Sequence, residues 1–113
     1  MKKNLFGLGR VVFAAFISLA SISIALAQEA NPLKGQKVLV FSLTKGFRHS
    51  SIKPGQIALF KMAKEKGFAV DTTENATNFT EKNLKQYRIV VFLNTTGNVL
   101  NDVQQIAFER YIQ

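Results

Sequence analysis

Seven side chains in two short stretches carry the chemistry this sequence can offer. Thr44 to Ser51 (TKGFRHSS) supplies Lys45, Arg48, His49 and Ser50, and Asn94 to Gly97 (NTTG) supplies Asn94, Thr95 and Thr96. His49 is the only histidine in the chain. Imidazole is the side chain that exchanges a proton near neutral pH, which makes His49 the candidate catalytic acid or base. Arg48 carries a planar fork of donors that matches carboxylate or phosphate oxygens, and Lys45 adds a point charge. Ser50, Thr95 and Thr96 both donate and accept through their hydroxyls, as Asn94 does through its amide, so the two stretches together would make a hydrogen-bonding mouth. No metal site is indicated, because a lone histidine in a chain without cysteine lacks the partners such a site requires. No pattern identifies a cofactor: Lys45-Gly46 lacks the Gly-x-x-x-x-Gly-Lys spacing of a phosphate loop. Against each functional reading stands a plainer one, in which Arg48 is solvated, His49 hydrogen-bonds its own loop, and the threonines close a turn.

Whether these residues meet depends on the elements that carry them. Lys37 to Leu43 (KVLVFSL) is a continuous apolar run, the pattern of a parallel strand covered on both faces. From Ser51, a candidate N-cap, Ile52, Gln56, Leu59, Phe60 and Ala63 fall on one face of a helix that Gly67 would end. Phe68 to Thr72 reads as a weaker edge strand, Thr80 to Tyr87 as a short helix capped by Thr80, and Arg88 to Leu93 (RIVVFL) as a second fully buried strand. Asn101 with Gln104 fits a capping box, opening a last helix whose buried face would be Val103, Ile106, Ala107 and Tyr111.

The order β-α-β-α-β-α predicts an α/β fold: a three-layer, doubly wound parallel sheet of flavodoxin-like order, with the weak second strand at one edge, the first strand beside it and the third beyond. Ligands of such sheets bind beyond the carboxyl ends of the strands, where both polar stretches lie. The outer edge of Ile89 to Leu93 would be apolar and without the devices that protect natural edges, so the domain is expected to be truncated after about three strands and to continue past Gln113.

Composition sets the context. The chain has 113 residues, 15 Lys+Arg against 7 Asp+Glu, a formal net charge of +8 and no cysteine. Lys2, Lys3 and Arg10 precede an uncharged run, Val11 to Ala27, that ends in Ala25-Leu26-Ala27. This is the pattern of a cleavable signal peptide over residues 1–27, followed by a linker over 28–36 and a domain over 37–113. A secreted or periplasmic location is expected, with membrane contact only through an uncleaved signal segment. The remaining lysines are scattered among acids, with no aromatic-interleaved basic block, so nucleic acid is not the expected partner. Nothing in the sequence specifies an oligomeric state.

Three segments together resemble a known family: KVLVFSLTKGFRHSSI at 37–52, TTENATNFTEKNLKQYRIVVFLNTTGNVL at 72–100 and QQIAFERYIQ at 104–113. They are similar to the first half of a ThuA-like (trehalose-utilisation) domain, which implies a class I glutamine-amidotransferase-like fold without that class's Cys-His-Glu machinery. The resemblance implies functional positions at Arg48, His49, Asn94, Thr95 and Thr96, with Lys45 and Ser50 as additions. It also implies further site residues, including a second histidine, beyond the helix that ends at Gln113. The expected function is an exported protein that binds or processes a sugar or sugar derivative. A non-catalytic binding or assembly module, or an inactive fragment, is the alternative, and whether the protein is an enzyme stays open. A glutamine amidotransferase would need a nucleophilic cysteine, and this chain has none.

Overall fold

The structure is a computed structural model that describes residues 29–113, so the predicted signal segment lies outside the described residues. Strand β1 (Lys37–Phe41) is central. It pairs in parallel with β2 (Ala69–Thr73), from Lys37 opposite Ala69 to Phe41 opposite Thr73, and with β3 (Ile89–Phe92), from Val38 opposite Ile89 to Phe41 opposite Phe92. The order is β2-β1-β3. Only a strand paired on both sides can bury its whole length, and Val38 to Phe41 are all buried, as the continuous apolar run requires.

Side chains of β1 alternate between two helical layers. Leu39 and Phe41 join Phe79, Leu84, Val99 and Leu100 in one cluster, against which Phe108 and Tyr111 of α3 (Asp102–Ile112) pack. Val38 and Val40 face the other way, toward α1 (Ile52–Lys66), which buries Ile52 and Ala63. Helices on both faces of an all-parallel sheet are the doubly wound arrangement expected. Gly55 permits the close seating of α1: a β-carbon there would lie 3.0 Å from Leu93 Cδ1.

Local signals set the helix ends. Gly67 takes the left-handed conformation (φ 75°) that ends α1, its N–H donating to the Ala63 carbonyl. The Thr80 hydroxyl accepts from the Asn83 N–H to start α2 (Glu81–Leu84), and Asn101 and Gln104 form the full capping box of α3. The stretch read as a linker has bonds of its own from Asn31 onward, with Asn31 Nδ2 donating to the Lys66 carbonyl at 2.6 Å and the Gly35 N–H to the Gly67 carbonyl at 2.7 Å.

Three expectations about burial are corrected. Strand β3 is not fully buried: Ile89 is 39% and Phe92 38% exposed, because its one strand partner among the described residues is β1. In α3 the inward face is Ala107, Phe108 and Tyr111, while Val103 is 75% exposed and Ile106 also faces out. An aromatic cluster decides that rotation, since Phe108 meets the rings of Phe79 and Phe92 at centroid distances of 5.9 and 5.2 Å. On α1, likewise, Phe60 is exposed while Gln56 and Leu59 are half-buried.

Near the amino end of β1 a polar cluster ties the layers together. Asp71 Oδ2 accepts from Tyr87 Oη at 2.8 Å and pairs with Lys37 Nζ at 3.0 Å. The Tyr87 bond first, and Lys37 second, hold the Asp71 carboxyl below its ordinary range, whereas burial, then the bond to Asp71, pushes the Tyr87 phenol up to about 12. Among the described residues no helix is long and apolar enough to cross a membrane.

Candidate functional site

All three strands send a polar group to their carboxyl ends, and these groups converge on the loop after β1. Thr96, after β3, holds the start of that loop. Thr96 pairs with Thr44 as an isolated parallel bridge, and its carbonyl accepts from the Lys45 N–H at 2.8 Å. Its hydroxyl accepts from the Gly46 N–H at 3.3 Å and donates to the Phe47 carbonyl at 2.8 Å. Gly97 makes the approach possible, since it has φ 77° and a β-carbon there would come within 3.1 Å of Lys45 Cβ.

Asn94 holds the other end. Its Nδ2 donates to Ser51 Oγ at 3.0 Å, and its backbone is left-handed, with φ 52°. Asparagine tolerates that conformation better than most residues, and such outliers gather at functional sites. The bond also explains a departure from the expected capping. Ser51 stands at the N-cap position of α1 but has helical dihedrals and makes no side-chain cap; its hydroxyl is turned to Asn94 instead.

The middle of the loop is tied to the end of β2. Arg48 Nη2 meets Glu74 Oε1, one residue past β2, at 2.6 Å. This interaction qualifies the expected role of Arg48, because one arm of the guanidinium is occupied by a protein carboxylate and the remaining donors are left for a ligand. Glu74 was not among the residues singled out from sequence. It could have been: the rule that ligands bind at strand ends applies to the exit of the second strand as well, and Glu74 is the acid that follows FAVDT there.

The structure thus gathers the predicted residues from both stretches around one loop. Lys45, Arg48, His49 and Ser50 are exposed on it, Thr95 and Thr96 are half-buried behind it, and Asn94 lies at the surface. The His49 ring meets the Phe47 ring edge to face, with centroids 4.9 Å apart and planes at 82°. Chemically, the mouth offers an imidazole, part of a guanidinium, an ammonium, a carboxylate and several hydroxyl or amide groups over one sheet end. Such a set can hydrogen-bond a hydroxyl-rich ligand or pair with an anionic one. Among the described residues no group of three or more His, Cys, Asp or Glu side chains is placed to hold a metal ion. Two separate concavities, of about 280 and 230 Å³, lie between α2 and α3, far from this chemistry in the fold and bounded in part by the Glu81–Arg110 ion pair.

No curated protein and no solved structure matches the chain. A family profile does match, over residues 37–113, which takes in both site loops and every strand and helix among the described residues. With the parallel β2-β1-β3 sheet and its covering helices, that match shows that the chain belongs to the ThuA family, described as trehalose utilisation, whose fold is glutamine-amidotransferase-like and whose role lies in carbohydrate utilisation.

Proposed function

We propose that the strand-end mouth binds a sugar or sugar derivative, and that it does so in an exported protein. The observation that carries this reading is the clamping of the β1 exit loop by Asn94 and Thr96 from β3 and by Glu74 from β2. The ends of β2 and β3 hold the backbone of this loop in place, so a ligand need not order it on binding. Arg48, Asn94 and Thr95 orient hydroxyls, Lys45 and Ser50 contribute at the rim, and Thr96 positions the loop. His49 exchanges a proton with the ligand if bonds are made or broken there.

Calorimetric titration of the chain with trehalose and its 3-keto form, beside a turnover assay, tests this reading. Loss of affinity or turnover in His49→Ala is the expected result; unchanged values for both remove His49 from the mechanism. Export is tested by amino-terminal sequencing of the protein recovered outside the cytoplasm, which should begin at Gln28.

One observation favours a second reading, binding without chemistry. A general base is ordinarily oriented by a hydrogen-bonded third group, whereas the neighbour of the His49 imidazole is the Phe47 ring. Saturable binding with no turnover of either sugar supports that version.

A further inference from the structure

Phe47 stands out at the mouth because it is a large apolar side chain where its neighbours are polar. It is 72% exposed, between Lys45 and Arg48 on the loop after β1. A single apolar residue on a surface is ordinary in itself, so what matters is how its loop is held. This loop is not loose. The Phe47 carbonyl accepts from Thr96 Oγ1, the N–H of the preceding Gly46 donates to the same oxygen, and the following Arg48 is paired with Glu74. The backbone on either side of the ring is therefore tied to β3 and β2, and the phenyl group is displayed rather than left behind.

The ring also has an aromatic neighbour. His49 meets it nearly perpendicular, at 82°, with centroids 4.9 Å apart, and at 72% exposure most of the phenyl surface remains open to solvent. An aromatic face carries negative potential. The C–H bonds along one side of a pyranose ring are weakly positive and apolar, while its hydroxyls project from the rim. A sugar laid on Phe47 would bury its C–H side on the phenyl face and turn its hydroxyls toward the polar groups beside it.

Building on the sugar-site reading, we infer that Phe47 is the stacking platform of this mouth and selects ligands with a cyclic, C–H-bearing face, placing them beside His49. The preference is for a pyranose over an acyclic polyol with the same hydroxyl groups. Phe47 is a binding residue in this proposal and takes part in no proton transfer.

The test compares trehalose with sorbitol on the chain and on Phe47→Ala, Phe47→Leu and Phe47→Trp, using calorimetry and saturation-transfer NMR. Trehalose should bind the native chain more tightly than sorbitol does. Phe47→Ala and Phe47→Leu should each weaken trehalose binding by about tenfold, the scale of a lost stacking contact. Phe47→Trp should retain it, and saturation should reach the sugar from the aromatic protons. Native binding of trehalose that is unchanged in Phe47→Ala, or matched by sorbitol, overturns the platform and leaves the sugar site standing. Failure of trehalose to bind the native chain removes both.

Discussion

Asn94 holds Ser51 across 43 residues of chain, its amide donating to the serine hydroxyl at 3.0 Å from a left-handed backbone position. One residue thus closes the β3 turn and fixes the entry of α1. The two roles separate by substitution. Asn94→Gly loses the bond but relieves the backbone, whereas Asn94→Ala loses the bond and keeps a β-carbon in a region that costs about 1–2 kcal/mol. The alanine variant should have the lower denaturant midpoint of the two; equal midpoints would show that the backbone there is unstrained.

Arg48 and Glu74 are both about half exposed, so their pairing is worth at most about 1 kcal/mol of stability. A double-mutant cycle with Arg48→Gln and Glu74→Gln should return a coupling of that size or less in urea unfolding. Sugar affinity should respond more strongly, because the pair sets where the loop sits over β2. A coupling well above that range would mark the pair as a fold determinant instead.

The Tyr87–Asp71 bond gives stability a pH dependence at both extremes. The Tyr87 phenol, pushed up to about 12, keeps its proton more tightly folded than unfolded. Its contribution is complete below about pH 10 and disappears as pH rises from there toward 12. Asp71 is shifted down, so its contribution is present above about pH 4 and is lost as pH falls further. Tyr87→Phe should flatten the alkaline limb of the stability profile and cost about 1 kcal/mol near neutrality. An unchanged alkaline limb would mean that the phenol is solvated in the folded chain.

Ser42 is completely buried, and its hydroxyl has no partner. Its N–H is bonded to Thr73, so the backbone already has what it needs. Removing an orphaned hydroxyl should stabilise, and Ser42→Ala is expected to raise stability by about 1 kcal/mol in thermal or urea unfolding. A destabilised variant would reveal a bridging water at that position.

Strand β3 presents Ile89 and Phe92 along an edge with no charge in Ile89 to Phe92, a template for pairing between chains. Size-exclusion chromatography with light scattering should find association that grows with concentration. Ile89→Lys should reduce it, since lysine is the residue natural edges use to block pairing. A native chain that stays monomeric at high concentration argues that the edge is otherwise protected.

What could be read from the residues, and what could not, follows from the range of the interactions involved. The apolar run of β1, the C′ glycine at 67, the Thr80 cap and the Asn101–Gln104 box are local patterns, and each appears where its pattern places it. The rotation of α3 could not be read that way. Ala107 and Tyr111 turn inward as their spacing predicts, but Val103 and Ile106 compete with Phe108 for the rest of that face, and only the rings of Phe79 and Phe92, distant in sequence, choose between them. The site shows the same division. The β1 and β3 exits were legible as polar loops, but the Arg48–Glu74 pairing depends on the β1–β2 register, and the pairing of Asn94 with Ser51 depends on the seating of α1. Neither is encoded in any short stretch.

The central position of β1 also bears on how the chain reaches this structure. Every strand pair in the sheet is distant in sequence: Lys37 must find Ala69, and Val38 must find Ile89. During synthesis at about 5–20 residues per second, β1 therefore emerges from the ribosome about 2–6 s before β2 does, and longer before β3. Its buried sequence, Val-Leu-Val-Phe, is for that interval a bare apolar ribbon. The strand that later organises the whole site is thus the one most in need of a chaperone while the chain is young, and substitutions that speed or slow translation between residues 42 and 89 should change the soluble yield without altering the finished fold.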